Sequence, residues 1–299
     1  MVSLYCKASV VIPWKTFISQ SFAISMARRY QSTSFQTVCV LPHDSIKALE
    51  LGYRQLKVDP LLLLIARSKT CNSGCTILTG LFGIIDSHGG PAVGKHVQHH
   101  LFNNILSEGG VHLDPAGATR DGYLLTDRNV LESSLEGGCS AVTAMLVDHG
   151  SRLIVANVGD ARAVLAKNGR AVQLSVDHDP GSPTERASVE RRGGMVTQIP
   201  GDYWRVDGLL SVARAFGDKS LKEHMSARPD LADHVVDLSC EFLILGSNGL
   251  WAVFTNQEIV DIVHKIKDPT KAAQELVSEA RNRHSEDDIS CLVIQFREL

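Results

Sequence analysis

Four apolar runs follow one another between Ala141 and Leu174, with only tight turns between them. Runs 141–147 and 153–158 are joined through Asp148-His149-Gly150, and runs 161–166 and 171–174 flank Lys167-Asn168-Gly169. Parallel neighbours need a crossover of about a dozen residues or more, and none of these gaps is that long. Asn-Gly between two apolar runs is a strong hairpin signal. The stretch therefore predicts antiparallel sheet and excludes a doubly wound parallel one.

The rest of the chain supplies more strands and the helices to cover them. Residues 81–85 form a short apolar run that stops at Asp86-Ser87-His88-Gly89-Gly90. Pro91 suits a first helical turn. Val93, Val97, Leu101 and Ile105 then recur every four residues, which predicts one apolar helix face. A second helix is expected over 116–135 and a third over 183–192, stopped by Gly193-Gly194. Residues 195–199 resume strand. Residues 241–246 form a buried strand ending at Ser247-Asn248-Gly249. Helices follow over 257–267 and 269–283, and the last strand, 289–296, is preceded by Glu286-Asp287-Asp288. No repeat or linker interrupts the chain after Leu81.

Composition removes several function classes. Hydrophobic residues make up 44% of the 299, so a packed core is feasible. A formal charge of −3 argues against nucleic-acid binding by bulk electrostatics. No apolar run reaches the ~18 residues that span a bilayer. Seven scattered cysteines, an odd number, do not read as a disulfide framework and suit a reducing compartment. Cys71 and Cys75 have no second pair to complete a zinc site. Residues 1–43 carry Lys7, Lys15, Arg28 and Arg29, ten Ser or Thr, and no acid. Such a basic, hydroxyl-rich segment is either a disordered terminus or an organelle-targeting one. Cytoplasmic or nuclear residence is expected, with organellar import through a cleavable leader as the alternative. Nothing demands an oligomer, so a monomer is expected.

Asp86, Asn248 and Asp287 each neighbour the end of an apolar strand. Side chains placed there are held by a rigid scaffold yet open to solvent. Carboxylates converging from distant segments repel unless a cation sits between them, which suits a hard-cation site. The cluster His96, His99 and His100 lies on the first helix and reads as solvent-facing.

Eight stretches, in order, carry a resemblance. They are FGIIDSHGG (82–90), ANVGDARAVL (156–165), DHDP (177–180), ERASVERRGGMV (185–196), RVDGLLSVARAFGD (205–218), FLILGSNGLW (242–251), TNQEIVD (255–261) and SEDDISCLVIQF (285–296). Together they resemble the metal-dependent type-2C serine/threonine protein phosphatases in their plant form. Residues 44–299 are then the phosphatase-like domain, with the clear match from 81. The resemblance implies an α+β fold, a four-layer α-β-β-α sandwich of two antiparallel sheets packed face to face. It implies two Mg²⁺ or Mn²⁺ ions per site, a phosphoprotein partner, and direct attack of a metal-activated water on phosphoserine or phosphothreonine. It assigns Asp86, the Ser87 carbonyl, Asn248 and Asp287 to metal, His88 to general acid, and Asp160 and Asp218 to secondary metal positions.

Two departures stand against full activity. The family has Ser-Asp-Gly where this chain has Ser247-Asn248-Gly249, so one carboxylate is replaced by an uncharged amide. The family's Arg and Met-Glu-Asp motif upstream of the first strand has no counterpart. Arg54, Lys57 and Asp59 lie nearby but match it poorly, so the phosphate-binding residue is unassigned. The expected function is a weakened metal-dependent serine/threonine phosphatase. The alternative is an inactive pseudophosphatase that binds phosphoproteins or partners.

Overall fold

The structure, a computed structural model, describes residues 20–28, 38–40, 61–65, 78–107, 111 and 113–298. Of residues 1–43, expected as a disordered or targeting segment, 20–28 and 38–40 are strands of the two sheets; the rest of that segment, and Arg54, Lys57, Asp59, Cys71 and Cys75, lie outside the described residues. In chain order the strands are β1 (Gln20–Arg28), β2 (Val38–Val40), β3 (Leu61–Ile65), β4 (Leu78–His88), β5 (Gly138–Val147), β6 (Arg152–Val158) and β7 (Arg162–Lys167). They continue with β8 (Arg170–Gln173), β9 (Val196–Gln198), β10 (Trp204–Val206), β11 (Phe216–Gly217), β12 (Asp230–Val235), β13 (Cys240–Gly246) and β14 (Ser290–Glu298). The helices are α1 (Ala92–Ser107), α2 (Pro115–Glu132), α3 (Pro183–Arg191), α4 (Asn248–Trp251), α5 (Asn256–Ile266) and α6 (Pro269–Asn282).

One sheet runs β12-β6-β5-β4-β3-β2, with β11 pairing β5, and the other runs β1-β14-β13-β7-β8. All their pairs are antiparallel except β2 with β3. The predicted hairpins β5–β6 and β7–β8 are both present, but they belong to different sheets. The short turn between β6 and β7 is thus a corner that crosses from sheet to sheet. The region 58–79, which showed no clear strand pair in the sequence, contributes β3, which pairs β4.

Alternation along each strand builds the layers. Phe82 and Ile84 of β4, Val142 and Ala144 of β5, Leu243 and Leu245 of β13, and Leu292 and Ile294 of β14 form the core between the sheets. The intervening residues Leu81, Ile85, Ala141 and Met145 face α1 and α2 through Val97, Leu101, Phe102, Tyr123 and Val130. On the far side, Ile244 and Val293 face α5 and α6 through Ile259, Val263, Leu276 and Val277. Helix, sheet, sheet, helix is the expected four-layer sandwich. A satellite core, Val189, Val196, Val206, Val212 and Met225, gathers α3 and the β9–β10 hairpin. No helix of the described residues is long and apolar enough to cross a membrane.

Candidate active site

The alternation that builds the core also aims the site. Asp86 and His88 share the parity of Phe82 and Ile84, so β4 directs them to the inter-sheet side. The strand does not stop before this motif, because Ser140, Cys139 and Gly138 of β5 continue to pair Asp86, Ser87 and His88. Ser87 turns the other way, onto α1. A Cβ on Gly94 would lie 2.0 Å from Ser87 Oγ, so the serine side chain fits only because α1 has glycine there. Ser87 Oγ is buried and has no hydrogen-bond partner among the described residues.

Asp160 sits at the β6–β7 corner. Gly159 makes the turn with φ +99°, a conformation that favours glycine. A Cβ there would lie 2.1 Å from Ser140 Oγ. Ser140 Oγ donates to Asp160 Oδ1 at 2.9 Å. The DHDP stretch braces the corner: Gly159 N donates to His178 Nδ1 at 3.0 Å, and His178 N donates to Gly159 O at 2.9 Å. Burial pushes the Asp160 carboxyl above its ordinary pKa. The Ser140 bond opposes that shift, and the charge of Asp287 adds to it.

His88 and Asp218 form a pair. His88 Nε2 lies 2.7 Å from Asp218 Oδ2, with side-chain exposures of 29% and 12%. Asp218 occupies the left-handed region (φ 48°, ψ 53°). Asp218 N donates to Gly137 O at 2.9 Å, and Gly217 N donates to Asp127 Oδ1 at 2.9 Å. Lys222 Nζ reaches Asp127 Oδ1 at 3.0 Å and Ala215 O at 2.8 Å. Burial raises the Asp127 carboxyl pKa, and Lys222 works against that rise.

Asn248 begins the single turn α4, directly after β13, and faces the chain entering β14. Its Nδ2 donates to Asp287 Oδ2 at 3.3 Å. The other oxygen, Asp287 Oδ1, accepts from Asp288 N at 2.7 Å. Ser247 Oγ donates to Asp288 O at 2.8 Å and accepts from Ser290 N at 2.9 Å, while Ser285 Oγ donates to Gly249 O at 2.6 Å. A Cβ on Gly249 would meet Asp288 O at 2.5 Å, so glycine lets the two segments close.

The predicted residues therefore meet at one end of the sandwich. Asp86 pairs Ser140, Ser140 bonds Asp160, Asp160 feels Asp287 and His88, and Asn248 holds Asp287. The donor set is all oxygen, which suits a hard divalent cation in kind. Burial raises the Asp160 carboxyl and the Asp287 charge adds to it, a strain that a nearby cation would offset. In number it falls short: among the described residues no three His, Cys, Asp or Glu side chains form a metal-holding group. Gly138, which sequence reasoning passed over, also lines the site. Only its lack of a side chain matters, and that leaves no chemical signal to read. The His96 and His100 rings lie on α1 with centroids 4.3 Å apart; His100 is exposed, while His96 is only half-exposed.

Residues 56–289 match the sequence profile described as Protein phosphatase 2C. "Probable protein phosphatase 2C 58" of Arabidopsis thaliana is 52% identical over 220 residues, covering 73% of this chain and 77% of its own length. "Probable protein phosphatase 2C 62" of Oryza sativa subsp. japonica is 50% identical over 222 residues, covering 73% and 76%. Among solved structures, the serine-threonine phosphatase 2C from Toxoplasma gondii superposes with a TM-score of 0.68 at 19% identity, covering 98% of this chain and all of that one. A C. elegans sex determining protein superposes with a TM-score of 0.72 at 19% identity, covering 92% and 64%. At that identity the likeness speaks for the fold.

Proposed function

Because the chain belongs to the protein phosphatase 2C family, we propose that it hydrolyses phosphoserine and phosphothreonine in a phosphoprotein at a rate lowered by Asn248. The observation that supports this reading is the His88–Asp218 pair on the same sheet end as Asp160, whose carboxyl is acted on by the charges of Asp287 and His88. Asp86, Asp287, the Asn248 amide oxygen and the Ser87 carbonyl are the groups that would hold Mg²⁺ or Mn²⁺. Such ions, when bound, offset the phosphate charge and lower the pKa of an attacking water. His88 gives a proton to the leaving alkoxide, work typically worth about 10²- to 10⁴-fold. Asn248 weakens the site because an amide brings no charge where the family brings a carboxylate. The substrate-facing protein acts as a monomer in the cytoplasm or nucleus, or in an organelle if residues 1–43 direct it there.

One observation favours the second reading, a phosphoprotein-binding module without turnover. Both Asp287 oxygens already accept from protein N–H groups, one of them from Asn248. Each oxygen of that carboxylate therefore has one protein donor.

The test is turnover of a phosphothreonine peptide with Mn²⁺ by wild type, Asn248→Asp and an Asp86→Asn blank. Wild type above the blank, with Asn248→Asp higher still, supports weakened catalysis. Wild type at the blank level supports the binding module. A gain by Asn248→Asp would then show that Asn248 alone disabled the site.

A further inference from the structure

We propose that Asp218 is the positioning residue for His88. It pins the imidazole through Nε2, so that Nδ1 is the nitrogen left to exchange a proton with the leaving group. A carboxylate facing one ring nitrogen fixes both the tautomer and the ring orientation of a histidine.

Three independent features are built around this pair. The first is the 2.7 Å contact between His88 Nε2 and Asp218 Oδ2. The second is the absence of a side chain at residue 138. A Cβ on Gly138 would lie 2.1 Å from Asp218 Oδ2 and 2.5 Å from His88 Nε2. Any other residue on that face of β5 would drive the partners apart. The third is the backbone of Asp218. Its φ of 48° is sparsely populated by residues with a side chain, and such strain persists only where the surroundings enforce it. Here the enforcement is explicit. Gly137 O accepts from Asp218 N, and Asp127, itself held by Lys222, accepts from Gly217 N. The turn before Asp218 is thus anchored to α2, and the turn delivers the carboxylate to His88 rather than to solvent.

The inference rests on the hydrolysis reading only for its kinetic arm. The spectroscopic arm stands alone. Asp218→Gly removes the carboxylate and suits the left-handed backbone, so it separates the pairing from folding. Asp218→Asn keeps an acceptor oxygen.

With ¹⁵N-labelled histidine at pH 8, the wild-type His88 ring should carry its proton on Nε2. Asp218→Gly should lose that preference, and Asp218→Asn should retain it in part. A wild-type proton on Nδ1, or a spectrum unchanged in Asp218→Gly, overturns the proposal.

In the kinetic arm, Asp218→Gly should lower kcat on a phosphothreonine peptide about 10- to 100-fold, the scale on which a histidine's orienting partner matters. Its effect on KM should be small. Turnover of 4-nitrophenyl phosphate, whose leaving group needs no proton, should fall by a clearly smaller factor than turnover of the peptide. Equal losses on both substrates would mean that Asp218 acts through the metal site or the fold rather than through His88, and would overturn the proposal. If wild type turns over neither substrate, the hydrolysis reading fails and the tautomer spectrum alone decides the pairing.

Discussion

Removing the Arg214 guanidinium should unlatch α3 from the sheet that carries the site. Arg214 Nε and Nη2 reach the two Glu185 oxygens at 2.8 and 2.6 Å, and Nη1 reaches Asp230 Oδ1 at 2.7 Å and Arg228 O at 3.0 Å. The Glu185 side chain is only 6% exposed and Arg214 only 18%. Burial works against the Arg214 charge, yet Glu185 and Asp230 override it and raise its pKa. Arg214→Ala leaves a buried carboxylate unpaired. Breaking a buried pair in this way costs about 3–5 kcal/mol. The lower end applies, because Asp230 is 39% exposed and water can serve it. About 3 kcal/mol lowers the Tm of a domain this size by about 6–12 °C. Scanning calorimetry at pH 7 in a chelator measures the shift. The double variant Arg214→Leu with Glu185→Leu should recover at least half of it, since two matched apolar side chains leave no orphaned charge. A loss below about 2 °C for Arg214→Ala, or a double variant worse than the single one, would refute the reasoning.

Tyr123 is fully buried, and its hydroxyl lies 2.9 Å from Thr143 Oγ1; Tyr123→Phe should cost about 1 kcal/mol, read from the urea midpoint. Thr255 caps α5 in a reciprocal box with Glu258, and Thr255→Ala should also cost about 1 kcal/mol by the same measurement. Burial lifts the Asp160 carboxyl, so its ionisation weighs against the fold. That stability is present at low pH and is lost as pH rises through the folded pKa. Asp160→Asn should therefore raise Tm at pH 7 in a chelator, and an unchanged or lowered Tm would contradict this. Asp230 shows the opposite sign. The His178 contact, then Arg214, holds it down at about 2. Its stabilising share is complete above the unfolded value of about 4 and is lost as pH falls toward 2. Asp230→Asn should flatten the acid limb of a stability–pH curve in that window.

Much of the sandwich is legible in the sequence because apolar runs and turn chemistry are local. The Asn168-Gly169 hairpin and the four-residue repeat of α1 are examples. Sheet membership is not local. β6 and β7 are buried almost throughout, so neither shows the alternation that would reveal which face meets which layer. The turn at Gly159-Asp160 is as short as a hairpin loop, and only its geometry makes it a corner. In the site, Asp86, His88 and Asp287 are readable as polar breaks beside apolar strands. The Asp218 pairing is not, because its partner is 130 residues away. Asn248 is readable as a departure from Ser-Asp-Gly, whereas the turn of its amide toward Asp287 depends on how the ends of β13 and β14 close.

The strand order of the second sheet also dictates a sequence of events in time. β14 is not an edge: it lies between β13 and β1, with residue 22 opposite residue 296. On a ribosome the hairpins β5–β6 and β7–β8 can form as they emerge, but β13 must wait with one flank open until residues 290–298 are released. Asp287 arrives just ahead of that strand, so the site closes only after β4–β7 and β13 are in place. During synthesis, at ~5–20 residues per second, the nascent chain presents the unpaired flank of β13 and its apolar inner face. The step most exposed to aggregation and to chaperone capture is therefore the docking of β14 between β13 and β1, and the same step brings Asp287 to the site.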